Sequence, residues 1–326
     1  MVGLYHYLKG VIGISRPPWA LYLSYCYFLI PFTVVNQTNV YSIFLAFITM
    51  FFFFLGHFSI NAIFDRDVDS VNPRKNELNS WTDSLDFQKN WVWVMIGIFW
   101  ILSLLGALLH TILFESDFTL IFIIIAIILA IAYSTPPLQI KGRAPLDLLV
   151  NQLSFGVIGP LFVLESLGGG LQTIPIEWIL ILLIFSISTL TIVVLPTVIM
   201  DTSVDKEYGY NTFSVKYGIK RTIQTITLFF GIQLVPILLF SVIAIREENL
   251  VSLIIMIALV YGEGSYVIYL WYRPTEYHAE LIATLFSSSL FTAGIILLVF
   301  IHLIPILPLF LGFFLAFKLK SLISLF

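Results

Sequence analysis

Residues 41–69 read YSIFLAFITMFFFFLGHFSINAIFDRDVD, a long apolar run that ends in a cluster of acids. An α-helix needs about 20 apolar residues to cross the hydrocarbon core of a membrane, so this run predicts a spanning helix near 41–64. At its end, Asn61, Asp65 and Asp69 follow one another at intervals of four residues, which places them on one helix face. The stretch therefore predicts a membrane helix that carries a row of oxygen-bearing side chains at one membrane boundary.

Apolar runs of similar length recur along the chain, and they are continuous, unlike the alternating strands of a membrane β-barrel. They predict an all-α, polytopic membrane helical bundle of about nine transmembrane helices that forms one domain over residues 1–326. A shorter apolar stretch at 303–317 forms a tenth crossing, a half-helix or a surface segment. The nine predicted spans lie near 18–36, 41–64, 91–113, 118–134, 148–167, 177–200, 223–245, 250–271 and 281–302.

The composition excludes several classes of protein. The chain is 59% hydrophobic and only 11% charged, with a mean hydropathy of +1.00. An average soluble domain carries roughly 25% charged residues, so this chain cannot cover a water-facing surface. A soluble enzyme and a disordered chain are therefore excluded. The formal net charge of -3 offers no basic field to a polyanion, which also excludes a nucleic-acid-binding protein.

A second acidic motif matches the first. Residues 196–212 read PTVIMDTSVDKEYGYNT, in which Asp201 and Asp205 again lie four residues apart at the end of an apolar run. Asp201 lies 140 residues after Asn61, and Asp205 lies 140 residues after Asp65, which indicates two duplicated halves around a central cavity.

Acidic side chains at a membrane boundary carry an energetic cost that some other interaction has to offset. Carboxylates at a hydrocarbon boundary are costly to desolvate, and like charges four residues apart on a helix repel each other. A divalent cation between the two motifs offsets both costs, and Mg²⁺ typically binds through a few carboxylates together with phosphate oxygens of a substrate. The paired motifs therefore favour a Mg²⁺ site that clamps a diphosphate over two solvated acidic helix ends.

Positively charged side chains accompany the acids. Most of the sixteen Lys and Arg residues lie in the N-terminal segment and in every second loop after it, which the positive-inside rule places in the cytoplasm. The sequence thus predicts an integral, multi-pass protein of the cell membrane whose polar face opens to the cytoplasm. Guanidinium and ammonium groups are natural partners of phosphate oxygens. The candidate diphosphate-binding cations are Arg16, Arg66, Lys141, Arg143 and Lys206.

Three stretches together resemble the UbiA superfamily of intramembrane prenyltransferases. Residues 61–75, NAIFDRDVDSVNPRK, are similar to the NxxxDxxxD motif of the family, and residues 201–213, DTSVDKEYGYNTF, are similar to its DxxxD motif. Residues 133–145, YSTPPLQIKGRAP, resemble the loop after the fourth span that carries a Tyr and a Lys. The order, the spacing and the plan of about nine helices match over nearly the whole chain.

The resemblance implies a reaction. The allylic C–O bond of a prenyl diphosphate breaks with the help of Mg²⁺, and a hydrophobic acceptor attacks the carbocation-like C1 while the tail lies in an apolar tunnel. The partners are thus the donor, the acceptor and membrane lipids. The resemblance implies that Asn61, Asp65, Asp69, Asp201 and Asp205 hold the metal, that the four aspartates are the catalytic residues, and that Tyr133 and Lys141 face the diphosphate.

The sequence after the first motif differs from that of many family members, and this difference bears on the identity of the acceptor. After the first motif it reads NPRKNELNSW at 72–81, and the first span begins with SRPPWALYLS at 15–24. Both stretches resemble the lycopene-elongase branch, in which a polyene hydrocarbon receives a short prenyl group. An aromatic quinone precursor or another lipid remains an alternative acceptor. A secondary transporter is the alternative from a different class.

Two further side chains have a functional and a structural interpretation. Glu263 lies inside the run at 250–271, where an ionisable residue either assists the acceptor by taking a proton or packs as a hydrogen-bonded group. His57 lies one helical turn before Asn61, and it either faces the cavity or fills the core.

Overall fold

A computed structural model describes residues 39–72, 91–167, 170–246 and 250–272, together with residues 10, 11, 13–17, 20, 23 and 24. These residues form helices and the loops between them, with no strand in the ranges given. The predicted span at 281–302 and the stretch at 303–317 lie outside the described residues, as does most of the predicted span at 18–36.

Ten α-helices are described. In two places a single residue separates a short helix from a long one, so the two follow each other almost without a break. Their bounds are Val40–Phe64 (α1), Arg66–Ser70 (α2), Trp91–Phe114 (α3), Thr119–Ser134 (α4), Leu146–Asn151 (α5), Gly159–Ser166 (α6), Ile176–Glu207 (α7), Phe213–Tyr217 (α8), Ile219–Arg246 (α9) and Leu250–Tyr272 (α10).

The described helices confirm the prediction of a polytopic helical membrane bundle. Five helical segments are long and apolar enough to cross a membrane, whereas α4 is apolar but has only 16 residues. Most bounds agree with the predicted runs to within a few residues. The exception is α7, which continues past residue 200 to Glu207 and so keeps Asp201 and Asp205 on the helix. The five segments are Tyr41–Phe64, Trp91–Phe114, Leu146–Ser166, Ile176–Glu207 and Ile219–Val242.

Helix pairs repeat in the two parts of the chain. In the first part α1 packs mainly on α3, and in the second α7 packs mainly on α9, which also packs on α10. Small side chains allow the first pair to approach closely, because a Cβ atom on Gly106 would lie 2.3 Å from Thr49 Oγ1. Ser103 adds a hydrogen bond of 2.9 Å to the carbonyl of Thr49. The two halves expected from the acidic motifs thus have similar packing.

A π-helical segment, Gln152–Ile158, connects α5 to α6 without a break. It packs against both α4 and α7, and so it connects the first part of the bundle to the second. The side-chain amide of Gln152 donates a hydrogen bond of 2.6 Å to Thr191 on α7. This segment fixes the position of α7, which carries the second acidic motif, relative to the first part of the chain.

Candidate functional site

A cavity of about 210 Å³ opens where the ends of α1, α2 and α7 meet the loops that follow α4 and α7. Carboxylates from both acidic motifs line it, together with side-chain amides and hydroxyls. The sequence-predicted residues that it brings together are Asn61, Asp65, Asp69, Tyr133, Lys141, Asp201 and Asp205.

The first motif keeps a helical register although the helix changes at its centre. Asp65 separates α1 from α2, but its N–H still bonds to the carbonyl of Asn61 at 2.9 Å, and the N–H of Asp69 bonds to the carbonyl of Asp65 at 2.7 Å. The intervals of four residues therefore place the three side chains along one wall. Both aspartates are buried, whereas Asp67 between them is exposed. Ser134 on α4 donates a hydrogen bond of 3.2 Å to Asn61 Oδ1.

The second motif lies on α7, and neighbouring side chains orient both of its carboxylates. Thr212 donates a hydrogen bond of 2.9 Å to Asp205 Oδ2. Asn72, which follows α2, donates a hydrogen bond of 2.8 Å from Nδ2 to Asp201 Oδ1. The second of these bonds joins the first motif's segment directly to the second motif, so the two acidic motifs face each other across one cavity.

Lys141 lies in a single 3₁₀ turn, Ile140–Gly142, over this cavity. Its side chain is buried and forms an ion pair with Asp65. Burial lowers the pKa of Lys141 to about 7, and the negative charge of Asp205 opposes this shift. The ammonium group of Lys141 thus compensates part of the negative charge of the acidic cavity.

Two loops hold Lys141 in place. The N–H of Ala144 bonds to the carbonyl of Asn211 at 2.8 Å, and the N–H of Asn211 bonds to the carbonyl of Gly142 at 3.0 Å. Gly142 lies against the ring of Tyr210, since a Cβ atom there would lie 3.1 Å from Cδ1 of that ring. Burial raises the pKa of Tyr210, and the charge of Asp205 raises it further, so the phenol stays neutral at physiological pH.

The predicted diphosphate-binding cations lie in different surroundings. Arg16 is partly buried and lies outside the cavity lining; burial lowers its pKa, and the charges of Asp69 and Asp201 oppose that shift. Arg143 is exposed and donates a hydrogen bond of 3.0 Å to the carbonyl of Pro137.

Arg66 and Lys206 also stay out of the cavity lining. Arg66 is partly exposed and Lys206 is exposed. The reason is helical geometry: each comes one residue after a lining aspartate, and one residue turns an α-helix by about 100°.

Sequence analysis did not assign a role to six polar residues of the lining. Asp147 lies in the first turn of α5, is buried, and accepts a hydrogen bond of 3.0 Å from the N–H of Phe213. Asn72 comes three residues after Asp69, and this helical interval is a signal from which it could have been predicted. The remaining assignments depend on contacts between distant segments. The six residues are Asn72, Asp147, Asn151, Thr197, Tyr210 and Thr212.

The donor set fits Mg²⁺ bound together with a diphosphate. Within the described ranges, no three Asp, Glu, His or Cys side chains converge into a complete metal site. Mg²⁺ does not require one, because it usually takes one or two carboxylates and completes its coordination with water and substrate phosphate oxygens. Four buried or half-buried aspartates on two walls, with an amide oxygen from Asn61, supply such partial sets.

Comparisons with known proteins agree with this chemistry. The model of the UbiA prenyltransferase family matches residues 23–280. A search of curated protein sequences finds no match. Among solved structures, a UbiA homologue from Archaeoglobus fulgidus bound to GPP and Mg²⁺ is 20% identical, with a TM-score of 0.64 over 87% of this chain and 99% of that one.

Two further solved structures share the fold. The A. fulgidus homologue bound to DMAPP and Mg²⁺ is 20% identical, with a TM-score of 0.63 over 87% of this chain and 98% of that one. The apo structure of a homologue from Aeropyrum pernix K1 is 14% identical, with a TM-score of 0.63 over 87% and 98% of the two chains.

Proposed function

The chain belongs to the UbiA prenyltransferase family, and on that premise we propose that it transfers a prenyl group from an allylic prenyl diphosphate to a hydrophobic acceptor. It is an integral, multi-pass membrane protein. The single observation that carries the proposal is the lining of one cavity by aspartates of both acidic motifs, joined through Asn72 and Asp201. The A. fulgidus homologue binds DMAPP and GPP with Mg²⁺, which supports the same donor class here.

The metal ligands of this proposal come from both walls of the cavity. When bound, Mg²⁺ neutralises the negative charge that develops on the departing diphosphate. The chain's own part is to hold the carboxylates in two opposed sets, so that the diphosphate lies between them. The residues that would hold the metal are Asn61, Asp65, Asp69, Asp201 and Asp205.

Three groups of the chain act on the diphosphate directly in this proposal. Lys141 leaves Asp65 and pairs with a phosphate oxygen once the donor is bound, because a charge-assisted hydrogen bond to phosphate replaces the ion pair. Tyr133 accepts a hydrogen bond of 3.1 Å from Asn151, which leaves its hydroxyl proton available for an oxygen of the donor. Arg16 adds positive charge beside Asp69 and Asp201. Preorganised positive groups of this kind lower the barrier to cleavage of the C–O bond.

The proposed transfer breaks one C–O bond and forms one C–C bond. The allylic C–O bond breaks, and its electron pair leaves with the diphosphate. A carbon of the acceptor supplies an electron pair to C1 of the prenyl group, and the acceptor then loses a proton. The apolar helices below the cavity limit the access of water to the cationic carbon.

The proposed acceptor is a polyene hydrocarbon such as lycopene. Its support is the resemblance of residues 15–24 and 72–81 to the lycopene-elongase branch. An aromatic quinone precursor or another lipid is the alternative acceptor. The distribution of Lys and Arg supports a cell-membrane location with the cavity open to the cytoplasm.

The test uses the purified full-length protein in lipid nanodiscs. We expect Mg²⁺-dependent release of diphosphate from DMAPP when lycopene is present, with a product heavier by one or two five-carbon units by mass spectrometry. A metal chelator abolishes the product, and Asp65→Ala or Asp201→Ala does the same. The matched control is Asp67→Ala, since Asp67 is exposed and outside the cavity lining.

Other outcomes separate the alternatives. Prenylation of an added aromatic quinone precursor but not of lycopene replaces the proposed acceptor while retaining the reaction. Transport of a solute into proteoliposomes without a covalent product supports a transporter instead. Full activity of both aspartate variants contradicts the assigned metal site.

A further inference from the structure

A small apolar cavity lies along the same helices that build the acidic cavity. On α1, Asn61 lines the acidic cavity, whereas Phe53 and Phe54 line the apolar one. His57 lies four residues from Asn61 and four from Phe53, so it is about 6 Å from each along the helix axis. His57 is therefore placed between the two cavities.

The π-helical segment has the same arrangement. Asn151, which precedes it, lines the acidic cavity, and Ser154, Phe155 and Ile158 line the apolar cavity. Single-turn π-helical segments are rare and occur frequently at functional sites. The segment brings the ring of Phe155 to the level of His57, at the boundary between the two cavities.

The imidazole of His57 is enclosed by aromatic rings. It meets Phe155 edge to face at 5.0 Å between ring centroids, and it lies 6.0 Å from Phe53 and 5.7 Å from Phe58. The side chain is buried, and its Nδ1 has no hydrogen-bond partner among the described residues. A buried polar nitrogen without a partner is uncommon and calls for an explanation, such as a role in catalysis.

The surroundings of His57 also contain the charge that faces the acids. The guanidinium of Arg16 lies 5.8 Å from the centroid of the Phe58 ring, which is next to His57 on α1. His57 lies one helical turn before Asn61 and is therefore on the side of α1 that is directed to the acidic cavity, close to where a prenyl chain leaves its diphosphate.

We infer that His57 is the catalytic base that removes the proton from the acceptor, an inference that rests on the function proposed above. After the acceptor has supplied an electron pair to C1, one of its carbons is cationic. The adjacent C–H bond breaks, its electron pair restores the double bond, and the proton passes to an unprotonated ring nitrogen of His57. The same balance holds for a polyene and for an aromatic ring.

Few other groups on the helices that line the two cavities can accept this proton, and Glu263 lies on α10, which contributes no described residue to either lining. Among the described residues that line the apolar cavity, Ser154 is the one polar side chain, and a neutral hydroxyl is a far weaker base than imidazole. On the acidic side, both carboxylate oxygens of Asp147 accept backbone hydrogen bonds, from Leu148 and Phe213. The remaining acids are the proposed ligands of the metal.

The test compares His57→Phe with wild type in nanodiscs, with DMAPP, Mg²⁺ and lycopene as the probes. Phenylalanine preserves the aromatic packing against Phe155 but has no basic nitrogen. We expect the rate of product formation in a single turnover to fall at least about 100-fold, the usual contribution of a positioned base. Binding of radiolabelled DMAPP in the presence of Mg²⁺ is expected to stay within threefold of wild type. His57→Gln, which is also non-basic, is expected to behave in the same way.

The matched control is His110→Phe. His110 is also buried with an Nδ1 that has no partner among the described residues, but it bonds to Ser42 near the opposite end of α1. We expect this variant to form product within threefold of wild type.

Each remaining outcome has a defined meaning. A wild type that is inactive both with lycopene and with an aromatic quinone precursor overturns the proposed function and with it the role of His57. An active wild type with an unimpaired His57→Phe variant overturns the role of His57 alone. Loss of DMAPP binding in both His57 variants also overturns it, because His57 would then act in donor binding.

Discussion

Asn72 donates a hydrogen bond of 2.8 Å to Asp201, and this bond joins two acidic motifs that lie more than a hundred residues apart in the sequence. Asn72 is buried, so its amide competes little with water for the carboxylate. The bond fixes Asp201 Oδ1 and thereby the direction in which Oδ2 points. Asn72 is therefore a positioning residue for a carboxylate of the proposed metal site.

We expect Asn72→Ala to raise the Mg²⁺ concentration for half-maximal activity by about tenfold or more. A hydrogen bond to a charged group contributes about 1.5–3 kcal/mol, and 1.4 kcal/mol corresponds to a factor of ten. The measurement is a Mg²⁺ titration of diphosphate release at saturating DMAPP. Ser70→Ala is the control, because Ser70 is exposed and donates its hydrogen bond to the carbonyl of Asp67, three residues away. An unchanged Mg²⁺ requirement in Asn72→Ala contradicts the positioning role.

The ion pair between Lys141 and Asp65 leads to a prediction about stability. Both side chains are buried, and removal of one partner leaves the other charge uncompensated, at a cost of about 3–5 kcal/mol. We expect Lys141→Met to lower the thermal midpoint of the solubilised protein in the absence of Mg²⁺. The double variant Asp65→Asn, Lys141→Met is expected to recover part of the loss, because neither charge remains.

The same variant distinguishes two roles of Lys141. If the ammonium group occupies the place of a cation, Mg²⁺ with inorganic diphosphate stabilises Lys141→Met more than it stabilises wild type. The readout is the shift of the thermal midpoint on addition of both. Equal destabilisation of the single and double variants is the result that contradicts the ion pair.

Much of the fold was predictable because a membrane helix has a strong local signal. Long apolar runs gave the limits of α1, α3 and α4 to within a few residues, since every backbone polar group in lipid needs a helical partner. The end of α7 was not predicted, because the helix continues beyond the lipid-compatible run as far as Glu207. Hydropathy reports where the membrane ends, and hydrogen bonding decides where the helix ends.

The candidate site was predictable only where it follows helix periodicity. The intervals of four residues correctly placed Asn61, Asp65 and Asp69 along one cavity wall. The contacts of Asp201 with Asn72 and of Asp205 with Thr212 depend on how distant segments pack, which no local spacing encodes. Charge alone was a weaker guide, because a cation that neighbours an acid in sequence points away from it on a helix.

The exposure of two of the predicted cations leads to a prediction about activity. Arg143 and Lys206 are exposed and outside the cavity lining, whereas Lys141 is buried inside it. Exposed charges are screened by water and salt, and an exposed ion pair contributes about 0–1 kcal/mol. We expect Lys206→Met and Arg143→Gln to retain kcat/KM for DMAPP within about fivefold, and Lys141→Met to lose at least about 100-fold. A comparable loss in all three variants would mean that the exposed side chains turn inward when the donor binds.

The contact between α1 and α3 gives the last prediction, which concerns stability. A Cβ atom on Gly106 would lie 2.3 Å from Thr49 Oγ1 and 3.3 Å from Thr49 Cβ, and Thr49 is itself held by a hydrogen bond of 2.8 Å to the carbonyl of Leu45. Overpacking of this kind costs about 1–3 kcal/mol, so Gly106→Ala is expected to lower the thermal midpoint of the solubilised protein. Gly97→Ala on the same helix is the control. A Cβ atom there meets nothing within 4 Å among the described residues, and alanine favours a helix over glycine by about 0.5–1 kcal/mol. If Gly106→Ala is as stable as Gly97→Ala, α1 and α3 do not approach as closely as described.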